Sequence, residues 1–231
     1  IGFKAEKVKW ILNEVQDDSI HLKSVYSHLA SSESSKKNPL SIKQINLFLK
    51  IKEYHQNHFV KKTKFHLLNS SGVFNYPEYQ FNAVRCGIAL HGYANKLEWD
   101  KKLKPIAELT STICQIHRIK KGSNVGYDNG WIATKDSSIA TLPIGHADGI
   151  GRHFGKQSGY VSIKGKLVPI VGNICMDMLM IDITDIECKE GDIVSIFGKQ
   201  NNASRFAKMG DTISYELLTS LGKRVKRVIQ K

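Results

Sequence analysis

Residues 65–72 read Phe65-His66-Leu67-Leu68-Asn69-Ser70-Ser71-Gly72, an apolar run that gives way at once to small polar residues and a glycine. Such a run, bounded by turn residues, predicts a strand over Phe65–Asn69. Upstream, Ser41 stands three positions before Gln44, the spacing of a capping box, and Ile42, Ile45 and Leu49, with Leu47 and Ile51 beside them, supply an apolar helix face. Earlier still, Val8, Ile11, Leu12 and Val15 recur at helical spacing, His21–Ala30 reads as a short extended run, and Ser31–Pro39 reads as a polar loop. Downstream, Val84–Leu90 predicts another strand, ending at His91-Gly92. Helices alternating with strands imply parallel βα units in the first part of the chain.

From about residue 105 the pattern changes. Extended segments dominate: Ile106–Ile119, Trp131–Thr134, Ile139–Ile144, Tyr160–Ile163, Leu167–Val171, Met178–Ile183 and Ile193–Phe197. Asn129-Gly130 predicts a type I′ hairpin turn, and Lys164-Gly165 is a second candidate. The polar stretch Asn95–Pro105 marks the boundary. The tail returns to a short helix, with Ser214 before Tyr215, Leu217, Leu218 and Leu221.

With 231 residues, 41% of them hydrophobic, the chain can bury one large core or two modest ones. No apolar run approaches the ~18–20 residues that span a bilayer, and no secretory signal opens the chain. Ile1 in place of Met suggests a true start upstream. Cys86, Cys114, Cys175 and Cys188 are scattered without CxxC spacing, which argues against a metal site or disulfide framework and for a reducing, cytoplasmic setting. The net charge of +13 is spread along the chain, densest around Lys61-Lys62, Lys101-Lys102 and Lys223–Lys231, without interleaved aromatics. That distribution reads as solvated surface charge rather than a nucleic-acid platform.

Three features suggest chemistry. Hydroxyl residues and a glycine after a strand, as at Asn69-Ser70-Ser71-Gly72, can cradle a phosphate with backbone N–H groups; an ordinary turn or helix cap is the competing reading. Arg85, inside an apolar strand and followed by Cys86-Gly87-Ile88, is costly to bury unpaired, so it faces either a ligand or a structural salt bridge. Tyr127, beside the hairpin turn, is either a surface aromatic or a general acid–base. Gly145–Arg152 lacks the spacing of a dinucleotide or lysine-containing phosphate loop and reads as a tight loop. Asp148 and Asp177 are read as neutral turn or ladder residues rather than a carboxylate pair, and His28 by itself is a packed or solvated residue.

Taken together, Ser27-His28-Leu29-Ala30, His66–Ser70, Phe81–Ile88, Val125-Gly126-Tyr127, Leu142–Gly149, Pro169–Asp177 and Ile213–Glu216 resemble alanine racemase over essentially the whole chain. The resemblance implies an α/β plus β fold: residues 1–100 as the C-terminal portion of a partial TIM-type (β/α) barrel that binds pyridoxal 5'-phosphate, and residues 101–231 as a mostly β C-terminal domain. It also implies a homodimer with shared active sites, alanine as the substrate, and D-alanine supplied to peptidoglycan. Ser70, the backbone N–H groups of Gly87 and Ile88, and the Tyr215 hydroxyl would hold the cofactor phosphate. Arg85 would bond the pyridine nitrogen with His66 supporting it, and His28 would line the pocket. Tyr127 would be one of two catalytic bases, acting in the partner's site, and the Met176 N–H would bind the substrate carboxylate.

Two departures from the family stand out. The cofactor lysine, which serves as the second base, has no position in this chain, so the chain alone is expected to be inactive and its longer parent active. His146 stands at the substrate entrance where the family usually has Tyr. A non-catalytic module derived from the same fold is the alternative. Serine as substrate, and fusion of the parent to a cell-wall ligase, stay open.

Overall fold

The chain divides by its internal contacts into two units, Ile1–Lys104 and Pro105–Lys231. The structure is a computed structural model that describes residues 3–14, 21–34, 38–58, 63–94 and 96–230. Val15, Ile1-Gly2, Lys61-Lys62, Asn95 and the middle of the Ser31–Pro39 loop, which entered the sequence reading, lie outside these residues.

The first unit runs α1 (Ala5–Glu14), β1 (Ser24–Tyr26), α2 (Pro39–His58), β2 (Lys64–Asn69), α3 (Ser70–Asn75), β3 (Ala83–Arg85) and a short α4 (Leu97–Asp100). Its sheet is parallel, in the order β1-β2-β3, with Tyr26 opposite His66 and His66 opposite Ala83. α2 is capped by Asn38, whose Oδ1 accepts the Leu40 and Ser41 N–H groups at 3.0 and 3.2 Å. This corrects the expected Ser41 cap. Ser41 is buried one turn further in and donates to the Ser31 carbonyl. Gln44 reaches instead to the Ala30 N–H and the His28 carbonyl, fixing the segment after β1.

The buried face of α2 is Ser41, Ile45, Phe48 and His55, with Ile42 and Leu49 half-buried and Leu47 left exposed. The larger ring of Phe48 settles the helix rotation by packing edge-on against Phe65. Ile45, Phe48, Phe65, Leu67 and Leu68 form the core, each worth about 1.5–3 kcal/mol when fully buried. Only the first part of the expected Val84–Leu90 strand is a strand. At Gly87 the backbone leaves the sheet (φ −114°, ψ −86°), and Ile88–His91 is a 3-10 turn closed by left-handed Gly92. The N–H groups that would have continued the ladder turn toward Ser70 instead.

The second unit comprises β4 (Leu109–Thr112), β5 (Gln115–Ile119), β6 (Asn124–Val125), β7 (Trp131–Ile132), β8 (Ser137–Leu142), β9 (Tyr160–Ile163), β10 (Lys166–Val171), β11 (Leu179–Asp182) and β12 (Ile193–Phe197), then α5 (Ala203–Met209) and α6 (Ser214–Ser220). Seven strands form one antiparallel sheet in the order β4-β12-β9-β10-β11-β8-β5. β4 and β5 sit at opposite ends of that order, yet only Ile113 and Cys114 separate them in sequence. Ile113 still bonds Asp192 beside β12, while Cys114 already bonds Thr141 on β8. Two residues reach only about 7 Å, so the sheet must curl until its edges meet. Alternation along β11 and its register with β8 put Leu179, Ile181, Leu142 and Ala140 on one buried face, while Ile139 is buried on the other with Val125 and Val171.

Lys164-Gly165 forms the expected tight turn, with φ of 48° and 83°. The other turn is shifted by one residue. The left-handed pair is Asp128-Asn129 (φ 55° and 46°), and Gly130 has left the left-handed region at φ −56° and donates its N–H to the Tyr127 carbonyl. No helix among the described residues is long and apolar enough to cross a membrane.

Candidate functional site

The residues singled out in the first unit converge at the C-terminal ends of its parallel strands, where barrel folds of this type place their sites. His28 follows β1, Ser70 follows β2, Arg85 ends β3 and Gly87 lies just beyond. Arg85 is the hub. Its NH1 donates to His66 Nδ1 at 2.7 Å and to the His66 carbonyl at 3.3 Å. Its NH2 donates to the Ser27 and Leu67 carbonyls at 2.7 and 3.3 Å and lies 3.3 Å from His28 Nδ1. Among the described residues no carboxylate meets Arg85, and its partners there are neutral acceptors.

The guanidinium can only donate, so His66 Nδ1 must accept. Burial first, and then the Arg85 charge, holds the His66 imidazole below its usual range and keeps it neutral for that role. Tyr26, which the sequence reading missed, stacks on His66 with centroids 5.1 Å apart and lies 5.2 Å from the Arg85 guanidinium. Its signal was present: it precedes His28 by two residues on an extended segment.

Ser70 is buried, and its Oγ accepts the N–H groups of Gly87 (3.0 Å) and Ala89 (3.3 Å). Two backbone N–H groups thus converge on the Ser70 hydroxyl oxygen. Asn69 sets this up by capping α3 through the Gly72 N–H at 2.9 Å while also accepting the Ser32 hydroxyl. The strand-to-helix turn is therefore both a helix cap and the anchor for the N–H groups that follow β3. Ile88 is buried as well.

In the second unit Tyr127 sits in the β6–β7 turn with its side chain 73% exposed. Buried Asn173, also missed in the sequence, donates to the Tyr127 carbonyl at 2.8 Å and ties that turn to the segment leading to Met176. His146 and Met176 occupy two turns joined backbone to backbone: His146 N–H to the Cys175 carbonyl and Ala147 N–H to the Met176 carbonyl, both at 3.0 Å. Gly145 is required for that approach, because a Cβ there would lie 2.4 Å from the Cys175 oxygen. Tyr215 lies half-buried in the first turn of α6.

Asp148 and Asp177 are not neutral turn residues but share Arg224. Its Nε and NH2 fork onto Asp148 at 3.0 Å each, and its NH2 lies 2.6 Å from Asp177. Burial works to raise the Asp148 carboxyl, but the Arg224 fork and the Gly145 N–H outweigh it and hold the group below the usual carboxylate range. Nothing singled out Arg224 within its basic tail. Among the described residues no cluster of three or more His, Cys, Asp or Glu side chains could hold a metal ion.

Comparison with known proteins accounts for both units. The family description "Alanine racemase, N-terminal domain" matches residues 1–95, and "Alanine racemase, C-terminal domain" matches residues 106–229. The alanine racemase of Rickettsia bellii is 39% identical over 235 residues, covering 99% of this chain and 55% of the relative. That of Clostridium novyi is 38% identical over 223 residues, covering 92% and 57%. The crystal structure of alanine racemase from Bartonella henselae, with covalently bound pyridoxal phosphate, matches with a TM-score of 0.86 at 31% identity, over 98% of this chain and 62% of that one. The chain thus spans a little over half the length of these relatives. With matches to family descriptions along nearly its full length, the chain belongs to the alanine racemase family.

Proposed function

We propose that this chain is part of an enzyme that interconverts L-alanine and D-alanine using pyridoxal 5'-phosphate, supplying D-alanine for peptidoglycan. The observation that carries this reading is Arg85, a cation bound through both terminal nitrogens by neutral acceptors, beside the Gly87 and Ala89 N–H groups that converge on the Ser70 hydroxyl. These residues fit the cofactor. The Ser70 hydroxyl with the Gly87 and Ala89 N–H groups suits a phosphate, with the Ile88 N–H between them and Tyr215 added on the resemblance. Among the described residues the five contacts of Arg85 run through NH1 and NH2, so that its Nε–H would be available to a ring nitrogen.

When bound, the cofactor supplies an electron sink that acidifies the Cα–H of an attached amino acid. Arg85 donates a hydrogen bond to the ring nitrogen and gives up no proton, because a guanidinium stays charged at any physiological pH. His66 holds Arg85 in that orientation, and His28 lines the same pocket. The Tyr127 hydroxyl moves a proton at one face of Cα, in the site of a second copy of the chain, so the working unit is a homodimer. The Met176 N–H binds the substrate carboxylate, and His146 stands at the entrance. The second base, the cofactor lysine of the resemblance, belongs to the length of the relatives that this chain does not span.

The test is a two-way assay of the full-length chain with pyridoxal phosphate, measuring D-alanine formed from L-alanine and the reverse, with serine in parallel. Equal final mixtures from both alanine enantiomers are expected. A full-length chain that binds the cofactor yet interconverts neither amino acid would overturn the reading.

A further inference from the structure

We propose that Arg224 is a positioning residue for the substrate carboxylate: it clips the turn bearing Met176 to the turn bearing His146, and both to the C-terminal segment that follows α6. The inference rests on the racemase reading above.

The geometry begins with one peptide plane. The Cys175 carbonyl accepts the His146 N–H at 3.0 Å. In a trans peptide the carbonyl and the following N–H point in opposite directions, so the Met176 N–H is directed away from the His146 turn. No acceptor takes that N–H among the described residues. Its direction is therefore set by how firmly the two turns stay together.

Three connections hold them. The backbone pairs at His146 and Ala147 are the first. Arg224 is the second: its fork grips Asp148, whose carboxylate also accepts the Gly145 N–H at 2.9 Å, while NH2 reaches Asp177, the residue directly after Met176. The third is the docking of the C-terminal segment. The Gly222 N–H donates to the Asp148 carbonyl at 3.0 Å and the Ser220 hydroxyl to the Gly149 carbonyl at 3.1 Å. Gly149 has φ +106°, and a Cβ there would lie 2.5 Å from the Ser220 carbonyl oxygen. Arg227 in turn bonds the Leu221 and Val225 carbonyls, fixing the turn that presents Arg224.

Burial separates the two limbs of the clip. Asp148 is 8% exposed and needs a cation, whereas Asp177 is 52% exposed and does not. An exposed ion pair adds little stability. What the Asp177 limb fixes is the orientation of the chain beside Met176.

The experiment uses the full-length chain and its Arg224→Met, Arg224→Lys and Asp177→Asn variants. Removal of the clip is expected to raise the KM for alanine about tenfold, with kcat changed less than about twofold, as for a lost ground-state contact. Lysine cannot form the fork and should restore only part of the effect. Without substrate, amide exchange at His146 and Ala147 should quicken in Arg224→Met and Asp177→Asn. Asp177→Asn leaves the buried pair intact, so it carries the test if Arg224→Met fails to fold. Unchanged KM and unchanged exchange in Asp177→Asn would overturn the proposal, as would kcat and KM failing together in step with lost stability. A wild-type chain that does not turn over alanine would overturn the racemase reading, and this proposal with it. Turnover with KM untouched by the variants would overturn this proposal alone.

Discussion

At the strand ends of the first unit, each polar side chain of the candidate site is answered by a neighbour: Arg85 by His66 and carbonyls, Ser70 by two N–H groups, and Asn69 by Ser32 and Gly72. In the second unit Tyr127 and Met176 reach into solvent, at 73% and 60% exposure, and it is the backbone behind them that is fixed. On the proposed function, the first arrangement would receive a ligand of fixed shape and the second would present groups to a site completed by a second copy. A buried network gains its rigidity from satisfied hydrogen bonds, whereas an exposed tip needs close-packed turns, which explains why Gly145 and Asn173 matter there.

This contrast is most easily broken at Tyr127. If it is a presented base, Tyr127→Phe in the full-length chain lowers turnover about 10²–10⁴-fold, with the melting temperature unchanged because the lost hydroxyl is exposed. A variant that keeps its turnover would remove the reason for distinguishing the two regions.

Arg85 should behave in the opposite way, affecting fold and chemistry together. Arg85→Met strips the donor from His66 Nδ1 and from three carbonyls. Leaving such groups unsatisfied costs about 1–3 kcal/mol, to be read from urea unfolding. Arg85→Glu in the full-length chain should also shift the partition between racemisation and transamination, measured as keto acid formed per turnover. An unchanged partition would show that the residue does not control the ring nitrogen.

Gly145→Ala sharpens the comparison from the packing side. The added methyl has no room beside Cys175 and Met176, and overpacking of this kind costs about 1–3 kcal/mol. Calorimetry should show the loss, while cofactor affinity in the first unit stays as in the wild type.

The smallest effect expected is the pH dependence of Asp148. Its folded pKa is depressed, so its contribution is fully present above the unfolded value of about 3.9 and is lost as pH falls through the folded value. The stability gap between wild type and Asp148→Asn should be widest near neutral pH and close below about pH 4. Asp136 and Asp192 are depressed too, but they are common to both proteins and cancel.

The period-2 and helical patterns made the strands, the helices and the change of style near residue 105 legible in the sequence. They misplaced what depends on neighbours distant in the chain. The α2 cap moved to Asn38 because Ser41 is needed against Ser31. The β3 strand stops early because Ser70 draws the Gly87 and Ala89 N–H groups out of the ladder. The hairpin turn shifted to Asp128-Asn129, with Gly130 bonding back to Tyr127. The site divides in the same way. His28, His66, Ser70 and Arg85 sit on short motifs whose residue types announce chemistry. Tyr26, Asn173 and Arg224 act only through partners that the fold supplies, and Arg224 finds its partners 76 and 47 positions back, at Asp148 and Asp177.

The most direct measurement is a crystal structure of the full-length chain grown with pyridoxal phosphate. The account predicts phosphate oxygens within about 2.7–3.2 Å of Ser70 Oγ and the Gly87 N–H, with Arg85 Nε at the same range from the pyridine nitrogen. A bound cofactor whose ring nitrogen faces any other group, or whose phosphate sits away from the Ser70 turn, would contradict it.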